Sequence, residues 1–139
     1  MAKELASDPA IGIWKLDIDR SSFALGPAPK ASVMNIEACG DGLKLSTNTI
    51  DHQGNRIHMD AAYKFDGKDY PLTGSSVADT IAATRINDCK TEYVWRKQGK
   101  VAMATKIIVS LDGDTLRLIR TGIGLLGHIA DELLIYDRQ

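Results

Sequence analysis

Cysteine is scarce in this chain: 139 residues contain only Cys39 and Cys89. Two thiols cannot build a disulfide framework, and they are expected to stay reduced. No Cys-x-x-Cys or Cys/His cluster accompanies them. The histidines, His52, His58 and His128, lack the i, i+4 spacing of a helical ligand pair, so no metal site is expected. An excess of one charge is also missing. With 17 basic and 18 acidic residues the net charge is −1, which gives no general reason to expect nucleic acid or an anionic membrane as partner. No run approaches the ~18 apolar residues of a membrane-spanning helix. The segment Met1-Ala2-Lys3-Glu4-Leu5-Ala6-Ser7-Asp8-Pro9 is charged and has no apolar centre, unlike a signal peptide. A soluble cytoplasmic protein is the expectation, although a trimmed leader would leave the same picture. Phosphate-cradling glycine loops are absent, and Ser75-Ser76 has no nucleophile-elbow context, so no cofactor is expected.

What remains has an ordinary globular balance, 44% hydrophobic and 25% charged. The length fits one domain over residues 1–139, with 1–10 as an N-terminal arm. Six polar or glycine-bearing breaks organise the rest. They are Cys39-Gly40-Asp41-Gly42, Asp51-His52-Gln53-Gly54-Asn55, Asp66-Gly67-Lys68-Asp69, Asn87-Asp88, Gln98-Gly99 and Asp112-Gly113-Asp114. Each separates two runs rich in β-branched, aromatic or aliphatic residues, which is the hairpin signal. Hairpins without crossover helices make an all-β up-and-down sheet. Closure into a single antiparallel barrel of about 8–10 strands removes its exposed edges.

Alternation assigns the faces. Trp14, Leu16 and Ile18 oppose Lys15 and Asp17. Ile57, Met59, Ala61, Tyr63 and Phe65 oppose His58, Asp60 and Lys64. Gly26-Pro27-Ala28-Pro29 reads as a stiff extended connector. Strands are expected over 12–18, 32–38, 43–50, 56–65, 68–73, 78–86, 92–97, 101–110, 115–121 and 133–137. Between the last two, Gly122–Glu132 is apolar where other turns are polar.

Several motifs carry a resemblance. They are Gly12-x-Trp14-Lys15-Leu16, Gly26-Pro27-Ala28-Pro29-Lys30, Gly40-Asp41-Gly42-x-Lys44, Tyr63-Lys64-Phe65-Asp66-Gly67-Lys68-Asp69-Tyr70-Pro71, Asp79-Thr80 and Tyr136-Asp137-Arg138-Gln139. Together they span nearly the whole chain, and it resembles small bacterial lipocalin-like proteins of the calycin superfamily, of unassigned function. The resemblance implies a barrel with Trp14 packed across its closed bottom. Two departures stand out. The last hairpin is apolar here and polar in that group. Leu134-Ile135-Tyr136 also lacks the arginine of the Arg-x-Tyr carboxylate clamp found in fatty-acid-binding calycins.

The candidate ligand-binding residues are Arg120, Tyr136, Tyr63, Trp95, Met59, Arg85 and His128. In Leu116-Arg117-Leu118-Ile119-Arg120, alternation turns Arg120 inward, where a guanidinium needs an internal partner or an anionic ligand. Arg85 stands in the same position beside Ile81 and Ala83. Tyr63, Trp95 and Tyr136 offer hydroxyl and indole donors, and Met59 an adaptable lining, although core packing explains all four as well. His128 is the one histidine placed to act as an acid or base. Ala61, Ala83, Ala102 and Ala104 hint at interior space.

Three functions fit. The first is a carrier or sensor for a small apolar or amphipathic molecule. The second is a barrel enzyme, an isomerase or cyclase, with Arg120 and Tyr136 as its acid/base pair. The third is a filled barrel acting as a protein-interaction module. Gly122–Ile129 is expected to form a lid or a homodimer contact.

Overall fold

The computed structural model describes residues 8–24, 26–124 and 127–139, with backbone alone at 123–124 and 127–129. Ten strands follow one another. They are β1 Gly12–Ser22, β2 Ala31–Cys39, β3 Gly42–Ile50, β4 Arg56–Tyr63, β5 Tyr70–Thr73, β6 Thr80–Asn87, β7 Lys90–Lys97, β8 Lys100–Val109, β9 Thr115–Gly124 and β10 Gly127–Arg138. Each pairs antiparallel with its sequence neighbour, and β10 returns to β1, giving a closed up-and-down barrel. No helix among the described residues is long and apolar enough to cross a membrane.

The inner face is the one that alternation gives. Trp14, Met34, Ile36, Leu43, Ile81 and Leu116 are the largest fully buried side chains. At the end where β1 begins, Asp8–Ile11 crosses the barrel. Trp14 Nε1 donates to the carbonyl of Ala10 at 2.8 Å. Asp8 ion-pairs with Arg85 on β6, the strand diametrically opposite β1 in a ring of ten. Arg138, from β10, lays its guanidinium 4.2 Å above the Trp14 ring. It also donates to the carbonyls of Pro9 at 2.6 Å, Ile11 at 2.7 Å and Gly113 at 2.6 Å. Cation–π stacking at a part-buried site of this kind contributes about 0.5–2 kcal/mol. That end is therefore plugged.

The wall is thinnest at β5, which meets β4 and β6 through two residue pairs each. Pro71 removes a donor there. The chain just beyond passes so close to β4 that a Cβ on Gly74 would collide with the carbonyl of His58, and its φ of +85° favours glycine independently.

Two expectations need correction. Gly122–Glu132 is not one long turn: β9 continues to Gly124 and β10 starts at Gly127, with a bulge between His128 and Ala130. Ladder bonds are made by backbone groups, so an apolar, glycine-bearing sequence pairs as readily as an alternating one. Ala102 and Ala104 do not open the interior. Thr105, Ile107 and Val109 are the buried positions of β8, which puts Ala104 on the outer face, and Ala102 is the extra residue of a bulge opposite Trp95 and Arg96.

Candidate functional site

A cavity of about 270 Å³ lies at the end of the barrel opposite the Trp14 plug. Leu16, Ser32, Thr49, Arg120, Glu132, Leu134 and Tyr136 form its wall, and the β1–β2 connector adds Phe23, Gly26, Pro27 and Pro29. Asp51 and His52 of the β3–β4 turn complete the lining. The prolines hold the connector extended across this end.

Alternation from buried Leu116 and Leu118 brings Arg120 inward on β9, and Glu132, Leu134 and Tyr136 are buried at alternate positions of β10. Arg120 and Glu132 are direct cross-strand partners. Arg120 Nη1 donates to Glu132 Oε1 at 3.0 Å, and the carboxylate is only 3% exposed. Its other oxygen accepts the backbone N–H of Ala24 at 3.0 Å, which ties the connector to β10. Arg120 Nε is buried and meets no hydrogen-bond acceptor among the described residues. Leaving a buried donor unpaired costs about 1–3 kcal/mol.

Hydroxyls gather on the lining: Ser32 Oγ lies 2.9 Å from Thr49 Oγ1, and the Tyr136 phenol shares the same cavity wall. Burial raises the Tyr136 phenol above its ordinary pKa, against a smaller opposing pull from the Arg120 charge. The group is therefore neutral at physiological pH and donates or accepts without adding charge. At the rim, Asp51 accepts from the backbone N–H groups of Gln53 at 2.9 Å and Asn55 at 2.8 Å. The Asn55 N–H leads in lowering its carboxyl pKa. This carboxylate is committed to its own turn, while His52 is exposed.

Of the residues singled out in the sequence, the cavity brings together Arg120 and Tyr136. Tyr63, Trp95, Met59 and Arg85 lie elsewhere. Tyr63 is buried with its hydroxyl 2.7 Å from that of Tyr93. Trp95 Nε1 donates to Thr105 Oγ1 at 2.9 Å. Met59 packs on the core. Arg85 binds Asp8 and stacks 4.4 Å over Phe65. The side chain of His128 lies outside the described residues, as do Leu125, Leu126 and the remaining side chains of 123–129.

Sequence reasoning missed Glu132, Ser32, Thr49 and Phe23. Glu132 carried a usable signal, since it alternates with Leu134 and Tyr136, but it fell within a segment read as a turn.

Barrel, plug and polar-walled cavity together define a closed up-and-down barrel with one occupied end and one hollow end. No family model and no curated protein matches the chain.

Proposed function

We propose that the protein binds a small amphipathic molecule in this cavity, as a carrier or sensor. The observation that carries the reading is Arg120 Nε, a buried donor on the lining with no acceptor of its own. A ligand oxygen would relieve that cost, while Leu16, Phe23, Pro27 and Leu134 would cover an apolar body. At about 270 Å³ the space is at the small end of ligand pockets, which run from roughly 300 to 1,000 Å³. A compact ligand fits better than a long acyl chain.

Catalysis has less support. The Arg120 charge is matched by Glu132, and the Tyr136 phenol is held protonated, so neither is poised as a general base near neutral pH. The cavity likewise counts against a completely filled barrel.

The test is a screen of small neutral amphiphiles by two-dimensional amide NMR, alongside native mass spectrometry for ligand retained through purification. Saturable shifts at Ser32, Thr49, Arg120 and Tyr136 are expected. An Arg120→Met/Glu132→Met variant, which removes both charges together, should lose the binding while keeping its circular dichroism spectrum. A screen without saturable shifts at these residues, or equal affinity in the double variant, refutes the reading.

A further inference from the structure

We propose that the cavity discriminates by charge, accepting a neutral hydrogen-bond acceptor such as an amide, ester or ketone and rejecting a free carboxylate or phosphate. This rests on the ligand-binding reading above and adds the chemical class of the ligand.

An inward arginine ordinarily signals an anion site, because its fork matches carboxylate and phosphate. Here the opposite follows from what surrounds it. Arg120 is the one Lys or Arg among the described lining residues, and Glu132 holds it at 3.0 Å. Asp51 brings a second carboxylate to the rim, and His52 is exposed beside it. Among the described lining residues, the Arg120 guanidinium faces two carboxylates, Glu132 and Asp51.

An incoming anion has two routes, and both are costly. It can sit beside Arg120 with Glu132 in place, which sets two like charges together around one cation. It can instead displace Glu132 from Arg120. That separates a carboxylate only 3% exposed from its cation and disturbs the acceptor of the Ala24 N–H. A neutral carbonyl meets neither cost. It takes the Arg120 Nε–H without disturbing the ion pair, and the hydroxyls of Tyr136, Ser32 and Thr49 can each turn to donate or accept. The Glu132 carboxylate is thus a specificity determinant that acts by repulsion.

Benzamide and benzoate test this, because they share one ring and differ in the charge of the polar group. Methyl benzoate serves as a second neutral probe. Each is titrated into the full chain at pH 7, with amide shifts read at Ser32, Arg120 and Tyr136. The neutral probes should bind at least about tenfold tighter than benzoate, a difference of ~1.4 kcal/mol. Glu132→Gln removes the charge and keeps an acceptor for Ala24, so it should narrow or invert that ratio. Benzoate binding as tightly as benzamide to the unaltered chain overturns the proposal without any variant having to fold. An unchanged ratio in a folded Glu132→Gln protein also overturns it. If none of the three probes shifts these residues, the ligand-binding reading itself has failed, an outcome distinct from binding with the wrong preference.

Discussion

Tyr63 and Tyr93 are a buried pair whose hydroxyls partner each other at 2.7 Å, with rings edge-on at 5.4 Å. Exposures are 2% and 3%, so both hydroxyls are shielded from bulk water. Removing one oxygen with Tyr93→Phe keeps the ring contact and leaves the Tyr63 hydroxyl without its partner. The cost should be about 1–3 kcal/mol. Removing both with Tyr63→Phe/Tyr93→Phe leaves no unpaired group, and the double variant should lie within about 1 kcal/mol of the parent. A cycle over the four proteins should therefore show a coupling of roughly 1–6 kcal/mol, the two single costs less the small cost of the double. For 139 residues, at about 2.1 cal/mol/K of unfolding entropy each, 1 kcal/mol corresponds to about 3 °C in Tm. Each single variant should thus melt roughly 3–10 °C lower and the double close to the parent. Thermal denaturation followed by circular dichroism decides it. Additive losses, with the double variant the least stable of the four, would refute the claim that the two hydroxyls satisfy only each other.

Trp14→Ala should destabilise by about 3–5 kcal/mol, or roughly 10–17 °C, because the ring is fully buried, donates to Ala10 and carries the Arg138 guanidinium. An unchanged Tm would mean that this end of the barrel is closed by something else. Alkaline unfolding should follow from the same buried tyrosines. Burial pushes Tyr93 from 10.0 up to about 12, so the folded state keeps a proton that the unfolded chain releases first. That contribution is complete below pH 10 and declines between pH 10 and about 12, by roughly 3 kcal/mol in total. Phenolate absorbance and circular dichroism should change together in that window, and complete tyrosine ionisation near pH 10 with the fold intact would contradict it.

Much of this molecule is legible in the sequence because alternation and turn chemistry are local. Trp14, Leu16, Met34, Tyr63, Leu118 and Tyr136 all face inward as their spacing requires. Arg120 turns inward for the same reason. What spacing could not give is register. Tyr63 and Trp95 resemble ligand donors until neighbouring strands supply Tyr93 and Thr105 as partners. Arg85 resembles a free cation until Asp8 arrives across the closed end. Ala104 lies on the outer face because Thr105, Ile107 and Val109 take the inner one. The Phe23–Pro29 connector lines the cavity through contacts with β10, 108 residues later in the chain for Ala24 and Glu132. Nothing local announces such a contact.

The bonds from Arg138 back to the start of β1 also set a schedule for synthesis. Ile11 accepts from a residue 127 positions downstream. At ~5–20 residues per second, the first strand waits roughly 6–25 s on the ribosome for the strand that completes its pairing. Throughout that interval β1 has β2 on one side and an open ladder on the other. Such an edge is the surface through which nascent chains find one another. Charged side chains such as Lys15, Asp17, Asp19 and Arg20 along β1 are of the kind that disfavours pairing through such an edge.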